Sequence, residues 1–244
     1  MLILSAGMPK SGSAYLYNLI NAILVETGNK DARQIKDERN LEAIMKWHNN
    51  NIGELSLKKL IRLWLISVHD GPFTVKTHQG PKSSTKALSK LGLIRIVYCY
   101  RDPRDALLSA VDHGKKILAE GGGHTFAGMV DFDKASKKVK SWLGIWKRYN
   151  SMTGVLMVRY EDLIEKSFEI MQRIVAFLKV SVNDKKLEDI IWTFSRNNPD
   201  GERTGMHFNK AKSYRYRTEF TEAQKKKCQD AFGEFIEAMG YEIE

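Results

Sequence analysis

The residues best placed to do chemistry begin with Gly7-Met8-Pro9-Lys10-Ser11-Gly12-Ser13-Ala14-Tyr15, which follows the apolar run Met1 to Leu4 and precedes a segment, 16–24, with apolar residues at helical spacing. Strand, glycine-flanked turn and helix, in that order, aim backbone N–H groups and the positive end of a helix dipole at a phosphate. Gly7 and Gly12 stand as far apart as the glycines of a P-loop, G-x-x-x-x-G-K-[ST], yet the positions that should hold lysine and a hydroxyl hold Ser13 and Ala14. The lysine sits inside the loop, as Lys10, and the hydroxyl that would hold Mg²⁺ is missing. Such an anion site speaks against a Mg-dependent nucleotide kinase or NTPase. The plainer alternative is an ordinary turn in which Ser11 or Ser13 caps the helix.

A second group, Lys76-Thr77-His78, ends a β-rich run bounded by Gly71-Pro72 and Gly80-Pro81. Residues two apart on an extended segment point the same way, so a lysine and a histidine converge where open α/β sheets gather their ligands. The lysine can stabilise developing negative charge and the histidine can accept a proton. A third group is Arg101-Asp102-Pro103-Arg104-Asp105, directly after the strand-like run 94–100. Asp102 as cap and Pro103 in the first turn predict a helix start, with Arg101 beside it to meet a phosphate and Ser109 further along the helix. The alternative here is that Arg101 pairs with Asp105. His124, after Gly121-Gly122-Gly123, is a second candidate base on a loop.

These groups need a scaffold, and the hydrophobic pattern supplies one. Strand-like runs at 1–6, 72–76, 94–99 and 154–158 alternate with helical periods, which predicts a single α/β domain over 1–244. Its centre is a mostly parallel β-sheet flanked by helices, with a P-loop-like nucleotide-binding core. Helices are expected at 41–47, 54–65, 133–150, 167–179, 183–195 and 221–239, and a surface loop at 30–39. Residues 196–218 have neither period and carry many Arg, Lys, Asn and Gly, as a functional loop closing over an anion would.

The 244 residues carry 39 Lys+Arg against 29 Asp+Glu, a net charge of +10 that calls for an anionic partner without naming it. A basic nucleic-acid-binding module would use that charge but would leave Lys76-Thr77-His78 unexplained. Two cysteines, Cys99 and Cys228, form neither a disulfide framework nor a metal-ligand pattern. With no apolar run of spanning length and no signal peptide, the expectation is a soluble cytoplasmic protein without a transmembrane segment.

Taken together the motifs resemble the sulfotransferase family, specifically the cytosolic-type enzymes that use 3'-phosphoadenosine-5'-phosphosulfate (PAPS). Pro9-Lys10-Ser11-Gly12-Ser13-Ala14-Tyr15 is similar to the family's 5'-phosphosulfate loop, with Ser13 and Ala14 for two threonines and Tyr15 for the tryptophan that lies against adenine. Lys76-Thr77-His78 is similar to the family's lysine-threonine-histidine, whose histidine is the catalytic base. Arg101 and Ser109 look like the 3'-phosphate site, and Arg159-Tyr160-Glu161-Asp162-Leu163 matches the family's later tyrosine segment. Near the C-terminus Arg203-Thr204-Gly205 stands for an arginine-lysine-glycine triplet that clasps the 3'-phosphate, with Lys210 or Lys212 as alternatives, and Tyr216 stands where a tryptophan would be.

The resemblance implies metal-free, in-line sulfuryl transfer. His78 would act as base, with Lys10 and Lys76 on the transferring group. Ser11, Gly12, Ser13, Ala14, Tyr15, Arg101, Ser109, Tyr160, Arg203, Thr204 and Gly205 would bind the donor, whose product is adenosine 3',5'-bisphosphate. The acceptor would be a hydroxyl or amine of a small molecule, glycan or lipid rather than a nucleic acid. Its site would be built from loops near 37–52, 112–130 and 196–215. Neither its identity nor the oligomeric state is written in the sequence.

Overall fold

A computed structural model describes residues 1–122, 126–202, 204–205 and 212–243. Among these, strands β1 (Leu2–Gly7), β2 (Phe73–Thr77), β3 (Ile94–Tyr100) and β4 (Val155–Arg159) form a four-stranded sheet in the order β2-β1-β3-β4. All three pairings are parallel. β1 and β2 are buried at every position, as strands covered on both faces are, and among their largely apolar and β-branched residues they bury Ser5 and Lys76. The order reverses at β1, so the loop after β1 opens at the switch point where an α/β sheet leaves a crevice.

One core group packs Leu2, Leu4, Phe73, Val75, Ile96 and Tyr98 against helices α3 (Leu57–His69), α5 (Pro103–Ala119), α6 (Phe132–Asn150) and α11 (Glu222–Ala238). On the other face Ile3, Val97, Cys99 and Val158 pack against α1 (Ser13–Glu26), α8 (Ser167–Leu178) and α9 (Asp184–Thr193). Between β4 and α8 lies the short α7 (Tyr160–Glu165), and α10 (Tyr216–Glu219) precedes α11. Among the described residues no helix is long and apolar enough to cross a membrane.

Two local expectations are corrected. Residues 30–39, read as loop, contain α2 (Ala32–Glu38), whose N-cap Asp31 accepts from the Arg33 N–H. Only Ala32 and Ile35 of this helix are buried, so its pattern is too short to announce it. Residues 41–47, read as helix, form a turn. Leu41 and Met45 are buried at helical spacing, but the chain reverses and Trp47 takes φ 60°. A further helix, α4 (Ser83–Lys90), fills a segment that shows little apolar period, and Thr85 bonds back to the Lys82 N–H to start it. By contrast Asp102 caps α5 with Pro103 in its first turn, as expected, and Thr221 caps α11.

Candidate active site

The loop after β1 is held shut by its neighbour β3. The Met8 N–H donates to the Cys99 carbonyl at 2.9 Å, the Cys99 thiol donates to the Ser11 carbonyl at 2.8 Å, and the Ser11 hydroxyl lies 2.6 Å from the Met8 carbonyl. Two residues take left-handed backbone, Lys10 at φ 68° and Gly12 at φ 75°. Gly12 is required twice, because a Cβ there would also stand 2.7 Å from the Tyr160 ring.

Gly12 is the N-cap of α1 and gives no side-chain bond, so neither Ser11 nor Ser13 caps the helix. The first intrahelical bond inside this turn runs from the Leu16 N–H to the Gly12 carbonyl, which leaves the N–H groups of Ser13, Ala14 and Tyr15 without an intrahelical acceptor. The Ser11 hydroxyl is turned inward to close the loop, so this residue serves the site through its backbone. Tyr15 is 7% exposed and packs with Leu163 and Ile170, offering little more than an edge outward.

The second group comes together as its spacing predicted. Register Ala6↔Thr77 places the next pair, Gly7 and His78, side by side. The Gly7 carbonyl can only accept, so His78 Nδ1 donates to it at 2.7 Å and carries the ring proton. Nε2 therefore keeps its lone pair, and Lys76 Nζ donates to it at 2.5 Å. Burial brings the Lys76 ammonium down to about 7. His78 is lowered to about 3, first by burial and then by the charge of Lys76, with Lys10 adding and the Gly7 carbonyl opposing. Lys10 falls to about 8 through burial and the nearby Arg101, while Asp112 acts the other way.

The third group is braced rather than poised. Arg101 pairs with Asp105 at 3.0 Å, donates to the Lys212 carbonyl at 2.7 Å, and lies 4.4 Å from the centre of the Tyr160 ring. The sequence-level alternative of an Arg101–Asp105 pair is thus what the structure contains. Arg101 Nε is buried and has no hydrogen-bond partner among the described residues. Tyr160 joins the two ends, touching Gly12 on one side and Arg101 on the other. Ser109 is buried on α5, whose Ala106, Leu107 and Ala110 join the hydrophobic core.

Of the C-terminal triplet, the Thr204 carbonyl accepts from Asn18 of α1 at 3.1 Å, and Gly205, at φ 69°, lies against His48 and Asn49. Arg203, Lys210 and the second candidate base His124 lie outside the described residues. Among the described residues it is Lys212, not Thr204 or Gly205, that meets Arg101. Two contributors were absent from the sequence reading. The Gly7 carbonyl, which sets the His78 tautomer, follows only from strand register, and the Cys99 brace only from the loop's closure.

The sulfotransferase domain family matches residues 2–240. The chain belongs to the sulfotransferase family. The fold is shared with mouse sulfotransferase SULT7A1 complexed with PAP, at TM-score 0.62 and 18% identity over 97% of this chain and 84% of that one. Retinol dehydratase in a complex with retinol and PAP aligns at TM-score 0.60 and 17% identity, over 100% of this chain and 82% of the other. A sulfotransferase domain from the curacin biosynthetic pathway aligns at TM-score 0.51 and 13% identity, over 100% and 98%. No curated protein matches the chain.

The donor set suits an anionic nucleotide. Three helix N–H groups, two lysines whose basicity burial lowers and the Arg101 guanidinium, 3.5 Å from the Lys10 carbonyl, gather at one loop. Ser13, Ala14, Tyr15, Lys10 and Lys76 would hold a phosphosulfate, and Arg101 with Ser109 a second phosphate.

Proposed function

We propose that the protein transfers a sulfuryl group from PAPS to a hydroxyl or amine of a small-molecule, glycan or lipid acceptor. The observation that carries this reading is the Lys76–His78 contact: an imidazole fixed with its lone pair on Nε2, beside a lysine and next to the anion loop. When bound there, PAPS supplies the sulfuryl group, which leaves the bridging oxygen of its 5'-phosphate for the acceptor oxygen or nitrogen.

The remaining work belongs to the chain. Lys76 occupies His78 Nε2 in the free protein, and an anion in the loop draws its ammonium away and frees that lone pair for the acceptor's proton. The same anion neutralises Lys10 and Lys76, whose charges hold His78 down, so its basicity rises toward the working pH. Lys10, held at φ 68° by the loop, keeps a positive charge where the leaving oxygen develops its negative one. Helix dipole, N–H groups and lysines together do what Mg²⁺ does in a P-loop enzyme.

Adenosine 3',5'-bisphosphate should raise the melting temperature with EDTA present, by the amount expected for a ligand that binds only the folded state. Lys10→Ala should reduce that shift. No shift at millimolar bisphosphate would refute the donor assignment, and a shift that needs Mg²⁺ would favour a nucleotide kinase instead.

A further inference from the structure

We propose that the outer side of α3, with the end of α4 beside it, is a docking surface for an anionic lipid bilayer. Large apolar side chains scattered singly over a surface need no explanation, but a row of them on one helix does. On α3 Leu57 and Leu65 are each 55% exposed and Val68 is 63% exposed, with the half-buried Ile61 among them. At 3.6 residues per turn these four side chains fall within about 80° of one another around the helix. Leu60, Leu63 and Ser67, the buried residues of α3, lie on the opposite side and hold the helix to the protein. The exposed row is therefore surplus to the packing of the fold.

The row is bordered by cations that nothing answers. Lys58, Arg62 and His69 are exposed on the same outer side of α3, within about 60° of Leu65. From 57 to 91 the sequence contains one acidic residue, Asp70, and its carboxylate accepts from Arg39 Nε at 2.6 Å. Glu54, just before α3, is taken by Lys59 at 3.6 Å and Lys82 at 2.7 Å. Lys58 and Arg62, and Lys86 and Lys90 of α4, are exposed and form no ion pair among the described residues.

α4 packs against α3 and is followed by Leu91, which is 70% exposed. α3 leads to Phe73 and α4 to Ile94, and both of these pair with Leu2, so the two helices finish at the same edge of the sheet. That edge is opposite to the strand ends that carry Lys10, His78 and Arg101, and a surface meeting it leaves the crevice open.

An apolar row bordered by unpaired cations is what seats a helix at a bilayer: the apolar side chains enter the boundary with the acyl chains, and the cations meet anionic headgroups. A second copy of the chain fits less well. A twofold contact through this row would bring Lys58 and Arg62 of both copies together, with no acidic residue on α3 to offset them.

The test is sedimentation of the full chain with vesicles of phosphatidylcholine alone or with about 30% phosphatidylserine, and circular dichroism checks that each variant is folded. The anionic vesicles should take up the protein at least about tenfold more strongly, and Lys58→Glu with Arg62→Glu should weaken this at least about tenfold. A chain of net charge +10 also adsorbs through charge alone, so Lys137→Glu with Lys138→Glu, an equal change at exposed positions of α6, serves as control and should cost less than about threefold. Leu65→Ser with Val68→Ser changes no charge and should weaken uptake at least about tenfold. An equal loss in the α6 control, or unchanged uptake in the double serine variant, overturns the proposal. Absence of uptake by anionic vesicles overturns it as well. The row then belongs to a second copy if light scattering shows dimers that the serine variant separates, and to an acidic protein helix if it does not.

Discussion

The end of β2 and the end of β3 both carry basic residues beside the same loop, yet they are built in opposite ways. At the β2 end Lys76 leans on an imidazole instead of a carboxylate, and Lys76, His78 and Lys10 all lose basicity to burial. At the β3 end Arg101 is balanced by Asp105, and Arg104 is balanced by Asp102 at 2.8 Å. Asp105 also holds the Tyr216 N–H at 3.1 Å, tying the chain before α11 to the same cluster. One end is left uncompensated so that an arriving anion completes it, and the other is completed in advance so that it keeps its shape. Groups that must change protonation or partner during a reaction belong to the first kind.

The contrast is tested most severely by His78→Ala. Removing a positioned base should lower kcat by about 10² to 10⁴, while the thermal shift with adenosine 3',5'-bisphosphate stays close to that of the unmodified protein. Labelled-donor transfer and melting curves on the same preparation separate the two effects. Full activity in this variant would remove the β2 end from the chemistry. Arg101→Ala acts on the other end and should appear as lost stability before lost activity. It strands the buried Asp105 carboxylate, at a cost of about 3 to 5 kcal/mol in urea unfolding. Asp105→Asn added to Arg101→Ala should recover part of that loss, because no charge is then left alone. If Arg101→Ala were as stable as the unmodified protein, the β3 end would not be the braced one.

Most of this division was legible from residue types. Two positions on an extended strand fixed Lys76 and His78 as neighbours, and Asp102-Pro103 fixed the start of α5. The apolar runs gave all four strands and their parallel sense, since strands alternating with helices leave few other topologies. What stayed hidden depends on distant contacts. Beside its local pair with Asp105, Arg101 also donates to the carbonyl of Lys212, 111 residues away, a contact that residue spacing does not show. Residues 41–47 read as a helix because Leu41 and Met45 keep helical spacing, and the reversal that follows is held by long-range pairing of Asn51 with Lys76 of β2. Tyr15 could be seen as a helix residue or as a ligand platform, and its burial among Leu163 and Ile170 reflects α7 and α8, which lie far along the chain.

The finest separation of the two ends comes from pH. His78 binds a proton near pH 6.5 in the unfolded chain but at about 3 in the fold, held down by burial, by Lys76 and by Lys10, against the pull of the Gly7 carbonyl. Between those values the unfolded state carries the extra proton, so stability must fall as the pH drops from about 6.5 toward 3, by at most about 1.4 kcal/mol per pH unit from this residue. Lys76 adds nothing in that window, because it titrates at about 7 in the fold and higher when unfolded, and is protonated in both states below pH 6. His78→Gln should therefore flatten the acid side of the stability profile measured by urea unfolding, leaving the slope owed to the carboxylates. Bisphosphate should flatten it in the unmodified protein too, since an anion on Lys10 and Lys76 lifts the repulsion that keeps His78 neutral. If ligand and substitution both leave the slope unchanged, the imidazole is not held down by its lysines, and the β2 end is as settled as the β3 end.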